Sequence, residues 1–181
     1  MTICLGYRCS EGAVMACDGR ILDGDSNHIL SDGDKKFVIC GSTVAMVAGN
    51  FGKLFHRIAA NPPKSFAALR AAITENVSDD TEWLAYDKRA DRLYLNDIVI
   101  SRPIAGIGAG APYGLGALEA LPLAKSMDAA YRYISTAMAI ACRRNASCGG
   151  RVRILMIPRK GSLQVRAPSA IGTREPKDPK D

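Results

Sequence analysis

Three residue types in the first forty positions could do chemistry together: a hydroxyl, a carboxylate and an amine. Thr2 stands directly behind Met1. A small residue there permits removal of the initiator Met by an aminopeptidase. Thr2 would then carry both a hydroxyl and a free α-amine. The hydroxyl is a weak nucleophile, and the amine, with an ordinary pKa of about 7.7–8.0, is a base within the same residue. A Thr activated by its own N-terminal amine is an established solution to acyl transfer. The carboxylate is Asp18, in the charged cluster Asp18-Gly19-Arg20, and the side-chain amine is that of Lys35 or Lys36.

These groups need elements to bring them together. Residues 3–8 read as a short buried strand, Ser10-Glu11-Gly12 as a turn and residues 13–17 as a second apolar strand. The resulting hairpin returns Asp18 beside Thr2. Residues 21–34 are polar, rich in Asp, Gly and Ser, and read as a loop long enough to suggest function. Lys35 and Lys36 then precede the apolar run Phe37-Val38-Ile39-Cys40. With the turn Gly41-Ser42 and a strand over 43–48 closed by Gly49, a second hairpin places a Lys at the head of a buried strand.

The rest of the chain supplies layers. Helices are expected over 49–60, 65–77 with Ser65 as cap, 112–121, and 128–144. Strands are expected over 82–86, 92–96, 151–158 and 163–166, and residues 98–104 lead into the Gly-rich segment 106–114. Two hairpins come first, and strands do not alternate one by one with helices. That order predicts an α+β fold of antiparallel sheets packed face to face with helices outside, not a doubly wound parallel sheet. Residues 1–167 are expected to form a single domain and 168–181, with three of the nine prolines, a frayed tail.

Composition narrows the function. The 181 residues are 48% apolar and 23% charged, as in an ordinary soluble globular protein, with no run of 18 apolar residues and no secretory signal pattern. Six cysteines without a C-x-x-C pair read as reduced, buried thiols of a cytoplasmic protein. With only His28 and His56 besides, no zinc site is expected. The net charge of +6 is concentrated between Arg143 and Arg166. It lacks aromatic interleaving and reads as a solvated basic face, so neither a nucleic acid nor a membrane is expected as partner. Gly106-x-Gly108-x-x-Ala111 fits a relaxed dinucleotide fingerprint, but no parallel strand carrying an acidic residue follows it. Its glycines read as places where backbones pass closely, and no cofactor is expected.

The ordered set Thr2, Asp18-Gly19-Arg20, Lys36-Phe37, Val47-Ala48-Gly49 and Ile107-Gly108-Ala109-Gly110-Ala111-Pro112-Tyr113 resembles the proteasome β-subunit family. The similarity is greatest to its bacterial members, HslV peptidase and the proteasome homologues of Anbu and BPH type, and runs over about 155 residues. The resemblance implies a four-layer αββα sandwich, the fold of N-terminal nucleophile hydrolases, and a threonine-type endopeptidase working inside stacked homo-oligomeric rings on peptide or unfolded protein. An ATP-dependent unfoldase is a partner implied by resemblance alone. By the same resemblance Thr2 is the nucleophile, and Asp18 orients and charges the Lys. Lys36, preferred over Lys35 because it directly precedes an apolar strand residue, favours ionisation of the hydroxyl. The Gly49 N–H faces the oxyanion, Arg20 lies near the site, and Val47 lines a specificity pocket suited to medium apolar side chains.

The chain departs from the family pattern at supporting positions. Ala109 stands where a Ser helps position the N-terminal amine. Arg144-Asn145-Ala146-Ser147-Cys148-Gly149 stands for Arg-Asp-x-x-Ser-Gly, so Asn145 replaces an acid and Cys148 a hydroxyl. Asn carries no charge and a thiol is a poor donor. These changes motivate the alternative of a non-catalytic ring or shell protein that keeps the fold.

Overall fold

A computed structural model describes residues 2–22, 28–50, 54–78 and 80–168. The first hairpin joins β1 (Cys4–Cys9) to β2 (Gly12–Cys17), with Cys4 opposite Cys17. A two-stranded ribbon follows, β3 (Ile21–Leu22) with β4 (Ile29–Ser31), where the sequence reads as loop. Its strands are two and three residues long, too short to carry a strand periodicity within so many Asp, Gly and Ser. The second hairpin joins β5 (Phe37–Cys40) to β6 (Thr43–Ala48).

Two helices follow, α1 (Leu54–Ala60) and α2 (Phe66–Thr74). The Ser65 hydroxyl caps α2 by accepting from the Ala68 N–H at 3.2 Å. Residues 51–53, at the expected start of the first helix, lie outside the described residues. Strands β7 (Glu82–Asp87), β8 (Arg92–Leu95), β9 (Ile98–Ile100) and β10 (Ile104–Ile107) come next. The stretch 98–104 is thus two strands in different sheets, β9 beside β8 and β10 beside β1. Helices α3 (Ala111–Glu119) and α4 (Met127–Arg144) precede β11 (Arg153–Pro158) and β12 (Gln164–Arg166). The expected frayed tail lies, from residue 169 on, outside the described residues.

Ten strands form two antiparallel sheets, in the orders β10-β1-β2-β11-β12 and β5-β6-β7-β8-β9. Three apolar clusters separate four layers. Period-two alternation on β2 sends Val14 and Ala16 towards the cluster under α3 and α4, and Ala13, Met15 and Cys17 towards the facing sheet. On β6, Val44, Met46 and Ala48 meet that sheet from the other side, while Ala45 and Val47 join Leu54, Ile58, Leu69 and Ile73 under α1 and α2. Helix α4 buries Ala130, Ile134, Ala137, Met138 and Ala141 along one stripe, is capped by Ser126, and ends on Arg143 and Arg144, whose charge suits a helix C-terminus. The architecture is an αββα sandwich of α+β class. Among the described residues no helix is long and apolar enough to cross a membrane.

Candidate active site

One end of the space between the sheets is polar. It is built from the start of β1, the end of β2, the residue before β5 and the loop between α4 and β11. Thr2, Asp18 and Lys36 are all buried there, at 3%, 0% and 0% exposure. Pairing puts Asp18 opposite Ile3: the Asp18 N–H donates to the Ile3 carbonyl at 3.2 Å, and the Ile3 N–H donates to Asp18 Oδ1 at 3.1 Å. The hairpin therefore fixes the carboxylate from both its main chain and its side chain.

Lys36 uses all three of its donors. Nζ donates to Thr2 Oγ1 at 2.6 Å, to Asp18 Oδ1 at 2.8 Å, and to the Arg20 carbonyl. The other carboxylate oxygen, Asp18 Oδ2, accepts from the Gly149 N–H at 3.0 Å. A buried charge pair is tolerable only when its remaining hydrogen-bonding capacity is met, and here it is. Lys35 is exposed, one residue away on the opposite side of the strand entry.

The 106–111 turn packs directly against Thr2. The Gly110 N–H donates to the Thr2 carbonyl at 3.4 Å, and the Gly108 N–H to Glu82 Oε2 at 2.8 Å. Gly108 has φ +84°, and a Cβ there would lie 2.2 Å from the Thr2 carbonyl oxygen and 3.2 Å from the Ala48 Cβ. Gly108 thus brings the end of β10, the start of β1 and the end of β6 into contact, while Gly49, the residue after Ala48 at φ +102°, packs against the backbone of Asp80 and Thr81.

The supporting positions are distributed unevenly. Val47 is fully buried in the cluster beneath α1 and α2, its N–H donating to the Lys36 carbonyl at 3.1 Å. Ala109 is exposed, and its carbonyl accepts from Asn145 Nδ2 at 2.9 Å. Asn145 Oδ1 accepts from the Ser147 N–H at 3.0 Å and its hydroxyl at 2.6 Å. The amide therefore ties the 145–149 loop to the 108–110 turn without reaching Thr2. Cys148 is buried beside Gly110. Arg20 braces the same loop from outside: Nη1 donates to the carbonyls of Ala146 at 2.9 Å and Cys148 at 3.4 Å, while Nε and Nη2 grip Asp32 at 2.8 and 3.2 Å. The guanidinium holds the Asp32 carboxyl below its ordinary value.

Three thiols surround this centre. Burial, helped by the neighbouring Cys17 and Asp18, pushes the Cys4 thiol well up. Burial likewise raises Cys17 to about 11 and lifts Cys148. Neutral at physiological pH, they are packing atoms and leave the hydroxyl without a thiolate competitor.

Sequence reasoning placed Gly149 at the end of the 144–149 motif without giving it a role, and did not single out Asp32 or Glu82. Gly149 contributes only its N–H, which no side-chain pattern encodes. Asp32 is one of several acids in a polar stretch, and only the short β3–β4 ribbon distinguishes it.

No family model matches this chain, and no curated protein matches it. Among solved structures, the Anbu (Gly-1) mutant from Hyphomicrobium sp. strain MC1 is similar, with TM-score 0.75 over 96% of this chain and 89% of that one. The two chains share a fold. Sequence identity over that match is 17%, so the likeness is one of fold. It corrects the closer assignment to the proteasome β-subunit and HslV-like peptidase family, which neither the family models nor the identity supports. The physical reason lies in the motifs themselves. Gly108 is demanded by close approach of the Thr2 backbone and Gly110 by the Cys148 and Ile3 side chains, and the Lys36-Phe37 and Val47-Ala48-Gly49 segments by strand entry and exit. Such signals report the αββα sandwich rather than one family built on it.

Proposed function

We propose that this chain is a threonine-type N-terminal nucleophile endopeptidase subunit that hydrolyses peptide bonds within an oligomeric ring of its own copies. The observation that carries the reading is the 2.6 Å hydrogen bond from Lys36 Nζ to Thr2 Oγ1 within a buried, fully satisfied Asp18–Lys36 pair. Lys36 occupies a lone pair of the hydroxyl and has no donor or acceptor left to spare. The hydroxyl proton must therefore go elsewhere, and the α-amine that Thr2 gains when Met1 is removed is the nearest base in sequence. A water held by that amine could serve equally. General-base assistance of this kind is typically worth about 10²–10⁴ in rate.

As Thr2 Oγ1 attacks a peptide carbonyl, the amine takes its proton and Lys36 opposes the charge that grows on the oxygen. The Gly49 N–H is assigned to the developing oxyanion, where removing one donor costs about 2.7–4 kcal/mol. The amine then protonates the leaving group, and water hydrolyses the acyl-Thr2 ester. Cytoplasmic location and delivery of unfolded protein by an ATP-driven partner belong to the same proposal.

Thr2→Ala should abolish turnover of fluorogenic peptide amides while leaving sedimentation behaviour unchanged. Retained turnover in that variant would overturn the mechanism. A non-catalytic ring or shell subunit is the second reading. It is favoured by Ala109, which offers no hydroxyl, and by Asn145, whose amide is consumed within its own loop. An assembled wild-type protein that has lost Met1 and still cleaves no peptide would select it.

A further inference from the structure

We infer that Asp32 is a positioning residue for the Thr2 centre, acting through Arg20 and the loop between α4 and β11. This rests on the reading of Thr2 as nucleophile. Arg20 contributes to that centre twice. Its carbonyl accepts from Lys36 Nζ, and its guanidinium holds the carbonyls of Ala146 and Cys148. The loop so held ends in Gly149, whose N–H donates to Asp18 Oδ2 at 3.0 Å. The two residues touch as well: a Cβ on Gly149 would lie 2.8 Å from Arg20 Cζ. Asp18 in turn orients Lys36, and Lys36 meets Thr2 Oγ1.

What fixes the guanidinium is Asp32. The pair is bidentate, Nε to Oδ1 at 2.8 Å and Nη2 to Oδ2 at 3.2 Å, a fork geometry that sets the plane of the Arg as well as its position. The Asp32 main chain is itself anchored, its carbonyl accepting from the Arg151 N–H at 2.6 Å. Beside it, Arg153 donates to the Gly33 carbonyl at 2.5 Å and to that of Asp34. Arg20 is only 20% exposed at its side chain, whereas Asp32 is 45% exposed and spends both carboxylate oxygens on Arg20. Its carboxylate thus contributes through the pose of Arg20 rather than through packing. Without it, the guanidinium keeps only its carbonyl contacts and is free to turn towards solvent, and the Gly149 N–H loses its outer support.

The test is the kinetics of Thr2 acylation by a tripeptide epoxyketone in the Met1-processed protein, comparing wild type, Asp32→Ala, Asp32→Asn and Asp32→Glu. The inactivation rate constant should fall about 10- to 100-fold in Asp32→Ala, the range expected for misplacement on the order of an ångström. The half-saturating inhibitor concentration should stay within twofold, because Asp32 does not touch the ligand. Asp32→Glu, which can rebuild the fork, should recover most of the rate, whereas a merely structural role would not be rescued selectively in the rate constant. If Asp32→Ala does not fold, Asp32→Asn decides, since it keeps the volume and loses the charge. Equal rate constants in wild type and the Ala or Asn variant would overturn the inference while leaving Thr2 as nucleophile. No adduct in wild type would overturn both.

Discussion

The two ends of the inter-sheet space differ in how they hold charge. At the Thr2 end, Asp18 and Lys36 are buried and every donor and acceptor on them is used. At the other end, where the β5–β6 and β7–β8 turns meet the end of β11, lies an opening of about 640 Å³. It is lined by Ser42, Lys88, Arg89 and Arg159 over a floor of Val44, Ile157 and Leu163. Its charges are half-exposed and locally paired, Lys88 with the Gly161 carbonyl at 2.7 Å and Arg159 with Asp91. This opening carries the weaker electrostatics. A charge acts strongly on a neighbour when it is desolvated and preorganised, and of the two ends it is the Thr2 end whose charges are so held.

The contrast can be broken most severely at Lys36. Lys36→Ala strands a buried carboxylate and should cost about 3–5 kcal/mol of stability by denaturant unfolding, together with all epoxyketone reactivity. A loss below about 1 kcal/mol would mean that water reaches Asp18 and that the site is not desolvated. Glycines of similar φ sharpen the comparison, because one stands at each end. Gly161→Ala, at φ +93° with nothing within 4 Å, should cost only the backbone strain of about 1–2 kcal/mol and leave acylation of Thr2 unchanged. Gly108→Ala, at φ +84°, carries the same strain and must also displace the Thr2 carbonyl, so it should lose more stability and most of the reactivity. Equal melting temperatures and equal labelling in the two variants would contradict the geometry of the 106–111 turn.

Alkaline titration probes the packing around the site. Burial raises the Cys17 thiol to about 11 and the Cys142 thiol to about 12. These thiols stay neutral in the fold at pH values where the unfolded chain ionises them. Their contribution is complete below about pH 8.5 and is lost as pH rises through 11 to 12. For Cys17 alone the decline should be on the order of 2–3 kcal/mol. Cys17→Ala, although less stable at pH 7, should show a flatter stability curve between pH 8.5 and 11, and an unchanged slope would remove Cys17 as its source. The smallest effect belongs to the open end. Arg159→Ala breaks a half-exposed pair and should change stability by no more than about 1 kcal/mol, with peptide hydrolysis intact.

Much of this was legible in the sequence because it follows from local pattern. The β1–β2 hairpin is written in apolar runs around Ser10-Glu11-Gly12, and its register alone carries Asp18 to Ile3 and hence to Thr2. Lys36 ahead of Phe37-Val38-Ile39-Cys40 is legible for the same reason. What escaped is what main chain and distance supply. The Gly149 N–H belongs to a residue with no side chain, 131 positions from its acceptor. Asp32 differs from its acidic neighbours only through a ribbon too short to show periodicity. The break between β9 and β10 is marked locally by Ser101-Arg102-Pro103, but which sheet each strand joins is set by long-range pairing that local pattern does not encode. The family resemblance failed differently, since its motifs encode turns and close approaches that an αββα sandwich of this topology must make.

The most direct test of the central claim is intact-protein mass after brief incubation with a peptide epoxyketone. The account predicts loss of one Met and gain of one inhibitor adduct, absent in Thr2→Ala. Retention of Met1, or a processed chain that takes up no adduct, would contradict it.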